Sequence, residues 1–175
     1  LTSAFKPYGL NRPREQRFYE GEKLNLQRKT MMPSFTFTDF PCYVSRAFLI
    51  LKPEDIDLKY LVGVLNSELS YFMFYFTGKK QGEQLQIDKE PLLNFPIHVP
   101  ENKNENDLSK KIIESVDLIL DTKKLLRTIR LEQQKKILEK KIQRCEEEIN
   151  GHVYEMYDLS EDDINTIRTN LKIKK

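Results

Sequence analysis

Residues 108–150 read LSKKIIESVDLILDTKKLLRTIRLEQQKKILEKKIQRCEEEIN, with neither proline nor glycine in the run. Leu108, Ile112, Val116, Ile119, Leu120, Leu126 and Ile129 recur at three- and four-residue spacing, and Ile137, Leu138, Ile142, Cys145 and Ile149 form a later stripe. That is the period of an amphipathic helix. Lys123, Arg130 and Gln133 interrupt seam positions, so the pattern predicts a long coiled-coil-like helix rather than a regular zipper. If continuous, it would reach ~65 Å at ~1.5 Å per residue, several times the ~11–12 residues of an average helix. Its apolar stripe requires a covering helix, from the C-terminal segment, a second chain or an upstream domain. Gly151 is the expected break, with short helices over 152–157 and 161–170, the latter capped by Ser160 with Asp163.

Upstream the grammar changes. The polar stretch Pro100 to Asn106 separates the helical part from one that is aromatic and punctuated by proline. The division expected is a front unit over 1–103 and a helical unit over 104–175. In the front unit, residues 23–28 and 34–38 alternate apolar with polar as strands do, and 42–44 and 47–51 read as short buried strands. Residues 29–33 would connect two of these strands. Pro53 to Asp55 suits the first turn of a helix, and Leu58, Leu61, Val62, Leu65, Leu69, Phe72, Met73 and Phe76 continue it to a cap at Gly78. Residues 78–84 read as a flexible loop and 85–87 as a short strand. Asp88 would cap a short helix containing Pro91 to Leu93, and residues 96–100 are held extended by proline. The fold class expected is α+β: a mixed unit of short strands and helices, then a long helix and short C-terminal helices.

At 175 residues the chain suits one domain or one with an appendage. The 32% charged content is high for a compact globule and fits a long solvated helix. No apolar stretch approaches the ~20 residues of a membrane span, and the chain opens on Leu, so it reads as a cytoplasmic piece of a longer protein. Cys42 and Cys145 lie in segments of different character and read as two free thiols in a reducing compartment.

No Walker loop, G-x-G-x-x-G, G-x-S-x-G or His/Cys cluster with metal spacing occurs, so this chain is not expected to be a catalyst itself. His98 and His152 each sit among apolar neighbours, as structural histidines do. Charge concentrates at the front. Lys6, Arg12, Arg14, Arg17, Lys23, Arg28, Lys29, Arg46 and Lys52 face only Glu15, Glu20, Glu22 and Asp39, with Phe5, Tyr8, Phe18, Tyr19 and Tyr43 interleaved. Such a surface suits phosphate neutralisation and base reading; equally, it describes a solvated face with aromatic core residues behind it. Two short stretches are the candidate DNA contacts: Arg28, Lys29 and Thr30 at a strand-connecting turn, and Lys79, Lys80, Gln81 and Gln84 in the glycine loop. Lysines can neutralise phosphates, and glutamine amides can pair with adenine edges. The helix after residue 108 is also basic, which is usually its solvated face.

Three stretches, in order, resemble a known family. PREQRFYEGEKL over 13–24 running to Arg28 is similar to an opening "F..EKI...R" strand. Tyr43 to Lys52 followed by KYLVGVLNSELSYF over 59–72 resembles a strand and a "YLLALLNSKL" helix. LQI over 85–87 leading to LLNFPIHVP over 92–100 resembles an "L..LPIP.P" exit. The tail from Leu138, with VYEMYDLSEDDI over 153–164, resembles an "LE..ID..VY.LYGLTEEEI" ending, with Asp158 where glycine is common and Asn150 where aspartate is. The family is the TaqI-like C-terminal specificity domain of N6-adenine DNA methyltransferases and restriction-modification enzymes. The resemblance implies a module that grips double-stranded DNA and reads a short sequence. Methyl transfer and S-adenosylmethionine binding would belong to an upstream methyltransferase domain, in cis or in trans. No cofactor is expected in this chain. Asn66, Ser67, Tyr154 and Tyr157 match the motifs as structural residues. A second reading, from a different class, is a helical assembly module without DNA contact, and the long helix allows self-association under either.

Overall fold

A computed structural model describes residues 14–172; Lys6, Arg12, Phe5 and Tyr8 lie outside them. The described chain is α+β. One antiparallel sheet has the order β3-β1-β4, with β1 Lys23–Gln27, β3 Phe35–Thr38 and β4 Phe48–Leu51. A second has the order β2-β6-β5, with β2 Lys29–Thr30, β5 Lys79–Gln81 and β6 Gln84–Gln86. The helices are α1 Leu58–Leu65, α2 Glu68–Thr77, α3 Lys89–Leu93, α4 Lys103–Leu126, α5 Glu132–Met156 and α6 Glu161–Lys172.

Strand β1 is central in its sheet, so Lys23 and Asn25 are buried along with Leu24 and Leu26. Lys23 Nζ donates to the carbonyls of Gly21 and Phe40, at 2.9 and 2.8 Å, and Asn25 Nδ2 donates to Thr38 Oγ1 at 2.8 Å, while Asn25 Oδ1 is buried without a partner. Residues 42–44 form no strand, contrary to expectation; Cys42 N–H instead donates to the Tyr19 carbonyl at 3.0 Å.

The helix expected from Pro53 begins at Leu58, because Asp57 is the cap, its carboxylate accepting from the N–H groups of Lys59 and Tyr60. It also breaks at Asn66 and Ser67. Ser67 Oγ caps α2 by accepting from Ser70 N–H, and Asn66 clamps Phe35, accepting from its N–H at 2.8 Å and donating to its carbonyl at 2.9 Å. The amide thereby supplies an edge partner to β3.

The run over 108–150 is not one helix. It folds into a hairpin of α4 and α5 that turns at residues 127–131. At the turn, Thr128 directs both its N–H, at 2.9 Å, and its hydroxyl, at 2.8 Å, to the Leu125 carbonyl, competing with the next helical bond. The fold-back covers most of each stripe: Leu108, Ile112 and Val116 of α4 and Ile142, Cys145 and Ile149 of α5 are buried, whereas Ile137, expected on the later stripe, is exposed. Gly151 does not break α5, which runs on to Met156. Helix α4 starts in a capping box of Asn102 with Glu105, and α6 follows the expected Ser160–Asp163 cap, with Ser160 Oγ accepting from Asp163 N–H at 3.3 Å.

One apolar core joins these parts. Leu24, Leu26 and Phe35 from the first sheet meet Tyr60, Leu61, Val64 and Phe74, and the far side is closed by Ile112, Ile149, Val153, Ile167 and Leu171. Both cysteines are free, and among the described residues no helix is long and apolar enough to cross a membrane.

Candidate nucleic-acid interface

Residues 78–84, expected as a loop, form a β-hairpin. Gly82, with φ of +61°, makes the turn possible, and Lys79↔Gln86, Lys80↔Leu85 and Gln81↔Gln84 are cross-strand pairs. Gly78 is required for packing rather than for a left-handed cap: a Cβ there would lie 2.7 Å from Leu85 Cδ1 and 2.8 Å from the Phe74 carbonyl oxygen. Strand β2 pairs with the other edge of β6, Lys29 opposite Gln86 and Thr30 opposite Leu85. Two stretches of sequence fifty residues apart are thereby joined in one sheet.

Partners directly opposite in an antiparallel sheet share a face, and successive residues of a strand alternate. Lys29, Gln86 and Lys79 therefore form a row across all three strands, with Gln84 and Gln81 forming the next row on that face. Leu85, buried, sets the inner face, to which Thr30 and Lys80 belong. Lys29, Lys79, Gln81 and Gln84 are exposed. Among the described residues, the side chains of Lys29, Gln81 and Gln84 make no hydrogen bond or ion pair within the chain. Lys80 lies instead with Nζ 4.1 Å from the Tyr75 ring centroid, a cation–π contact. The Thr30 hydroxyl donates to the Met32 carbonyl at 2.9 Å.

Asp88 organises the base of this face. Although it precedes α3, its carboxylate makes no cap bond; it pairs with the Arg28 guanidinium, accepts from Gln86 Nε2 at 3.0 and 2.9 Å, and lies 3.5 Å from Lys79 Nζ. The hydrogen bonds from Arg28 and then Gln86 hold the Asp88 carboxyl below its ordinary range. Arg28 also ties the two sheets through its backbone, donating to Ala47 and accepting from Ile87, each at 2.9 Å. Of the stretch 28–30, Lys29 is thus the residue whose side chain is free to meet a ligand.

Among the described residues of the wider basic cluster at the front, several side chains are committed to partners within the chain, although only Lys23 is buried. Arg14 donates to the carbonyls of Val44 and Phe48, Lys52 to those of Arg17 and Glu20, and Lys23 is buried, while Arg17 pairs with Glu15 at 2.8 Å. Arg46 and Lys29 remain exposed.

Residues of the tail motif are architectural too. Tyr154 OH donates to Glu68 Oε2 at 2.6 Å, Tyr157 OH donates to the Pro96 carbonyl at 2.9 Å, and Asn150 Oδ1 accepts from Glu68 N–H at 2.8 Å. His98 is built into the same seam: its N–H donates to Tyr157 OH, its carbonyl accepts from Tyr60 OH, and Nε2 lies 3.2 Å from Glu105 Oε2. Sequence reasoning missed Gln86 and Asp88. The signal available was the spacing Gln84-Leu85-Gln86, which places Gln86 on the face of Gln84.

Neither a protein-family model nor a curated protein matches the chain.

Proposed function

We propose that this chain recognises double-stranded DNA in a sequence-specific manner, as the specificity domain of a restriction-modification methyltransferase. The observation that carries the reading is the outer face of the β2-β6-β5 sheet. Its cations at Lys29 and Lys79 flank the amides of Gln81, Gln84 and Gln86. A two-stranded ribbon fits the B-DNA major groove, where lysines can take phosphates and glutamine can pair bidentately with adenine N6 and N7. The β5–β6 hairpin is such a ribbon, its tip free of packing: a Cβ on Gly82 would meet nothing within 4 Å. In this reading Asp88 braces the face by holding Arg28, Lys79 and Gln86 in register. Methyl transfer from S-adenosylmethionine to adenine would be performed by a partner domain, and the present chain would supply target choice alone.

The test is selection from a randomised duplex pool, carried out with the chain alone and again with the catalytic domain it serves. An enriched site whose preference at one or two positions collapses in Gln81→Ala or Gln84→Ala supports the reading. No enrichment in either setting contradicts it.

A further inference from the structure

We infer that the solvent face of α5 is a self-association surface that pairs two copies of this chain antiparallel about a two-fold axis. The buried side of α5 carries Ile142, Cys145, Ile149 and Val153. On the opposite side lie Ile137, Arg144 and Gly151, seven residues apart and therefore within ~20° of one line along the helix. Lys140 and Glu148 flank that line four residues either side of Arg144, and Lys141 and Glu147 three residues either side. All of these side chains are exposed, Ile137 at 66%.

Three features of this face have no explanation within one chain. Gly151 lies mid-helix at a cost of ~1 kcal/mol against alanine, yet a Cβ there would meet nothing within 4 Å, so no internal packing requires it. Ile137 is a large apolar side chain left in water. Charge along the face is divided by sign: Lys136, Lys140, Lys141 and Arg144 occupy its first half, and Glu147, Glu148 and Glu155 its second.

A second copy running antiparallel accounts for all three. With Arg144 at the axis, Ile137 of one copy faces Gly151 of the other, a bulky side chain against a bare backbone. Lys140 then lies beside the second copy's Glu147 on one flank, and Lys141 beside its Glu148 on the other. Two-fold symmetry repeats each pair. A parallel arrangement would set lysine against lysine and glutamate against glutamate. Arg144 tolerates its position because Glu148 of its own helix lies 3.2 Å from its Nε. The pairing is independent of DNA binding.

A single helix face falls at or below the ~1,200 Å² of a small stable interface, so association is expected to be reversible and populated at roughly 50–500 μM chain. Sedimentation equilibrium of the 175-residue chain should show a monomer–dimer system that weakens with added salt. Lys140→Glu with Lys141→Glu, and separately Glu147→Lys with Glu148→Lys, should each raise the dissociation constant at least about tenfold, since like charges then face one another. An equimolar mixture of the two variants should restore dimers, because each of the four flanking pairs is again opposite in sign. In a Cys42→Ser background, Ile137→Cys chains should cross-link to Gly151→Cys chains under mild oxidation, and neither should cross-link to itself. Circular dichroism verifies that each variant keeps its helix content. A chain monomeric throughout that range overturns the inference, as do charge reversals without effect or cross-links between two copies of Ile137→Cys.

Discussion

Replacing Gly63 by alanine adds one methyl group where α1 meets the helix hairpin. The new Cβ would lie 2.5 Å from Ile112 Cγ2, 3.3 Å from Val116 Cγ2 and 3.8 Å from Ile149 Cγ2. Ordinary carbon contacts are ~3.5–4.0 Å, so α1 and α4 would have to part by roughly 1 Å there. Ile112 cannot swing aside: it is fully buried, and a β-branched side chain in a helix is confined to essentially one χ1 rotamer. Overpacking of this kind costs ~1–3 kcal/mol, while alanine's better helix propensity returns ~1 kcal/mol. The expected net is a destabilisation of up to about 2 kcal/mol, or a fall in Tm of up to ~8 °C for a chain of this size. Gly151→Ala is the same chemical change at a site with open space, and in the monomer at low micromolar concentration it should stabilise by ~0.5–1 kcal/mol. Urea denaturation followed by circular dichroism measures both. Gly63→Ala combined with Ile112→Ala should be less destabilised than the sum of the single changes by at least ~1 kcal/mol, since the offending methyl is gone. Stabilisation by Gly63→Ala, or simple additivity in the double variant, would refute the packing argument.

Asn66→Ala removes both bonds to the Phe35 backbone and should cost ~1–3 kcal/mol in chemical denaturation, whereas Asn66→Asp should still accept from Phe35 N–H and recover part of the loss. Spin labels at Glu114 and Glu147 should report the short separation of packed neighbouring helices, where one continuous helix would hold them ~50 Å apart at ~1.5 Å per residue. The Asp88 carboxyl is held below its ordinary range by Arg28 and Gln86, so its contribution to stability is present above the unfolded carboxylate pKa of ~3.9 and is lost as pH falls through the lower folded value. Asp88→Asn should therefore be less stable than the native chain near neutral pH and lose less on acidification, as followed by thermal melts from pH 7 to pH 3.

Periodicity made the helices legible because their apolar stripes are long: Leu108 to Val116 and Ile142 to Ile149 are buried as spacing alone implied. The turn between them was not legible. Residues 127–131 contain neither glycine nor proline, and the break depends on Thr128 competing for the Leu125 carbonyl and on the energy of pairing two stripes. Similarly, the short strand expected over 85–87 is present as β6, but Lys-Lys-Gln has weak strand propensity, and what makes it a strand is pairing with β6, itself held by β2 from more than fifty residues earlier. The candidate site divided along the same line. Exposure of Lys29, Lys79, Gln81 and Gln84 follows from their polarity. The commitment of Arg28 to Asp88, and of Arg14 and Lys52 to carbonyl oxygens, depends on tertiary contacts that composition does not encode.

The central claim is that the outer face of the β2-β6-β5 sheet holds DNA, and its most direct test is the salt dependence of duplex binding in single-residue variants. Each lost phosphate contact lowers the slope of log affinity against log salt by roughly 0.9. Lys29→Ala and Lys79→Ala should each flatten that slope by about this amount and weaken all duplexes alike. Lys80→Ala, on the inner face, should change it little. Gln84→Ala should leave the slope unchanged and erode preference at one base pair by ~1–3 kcal/mol. If Lys29→Ala and Lys79→Ala bind with the native slope, and Gln84→Ala retains native preference, this sheet is not the surface that reads DNA.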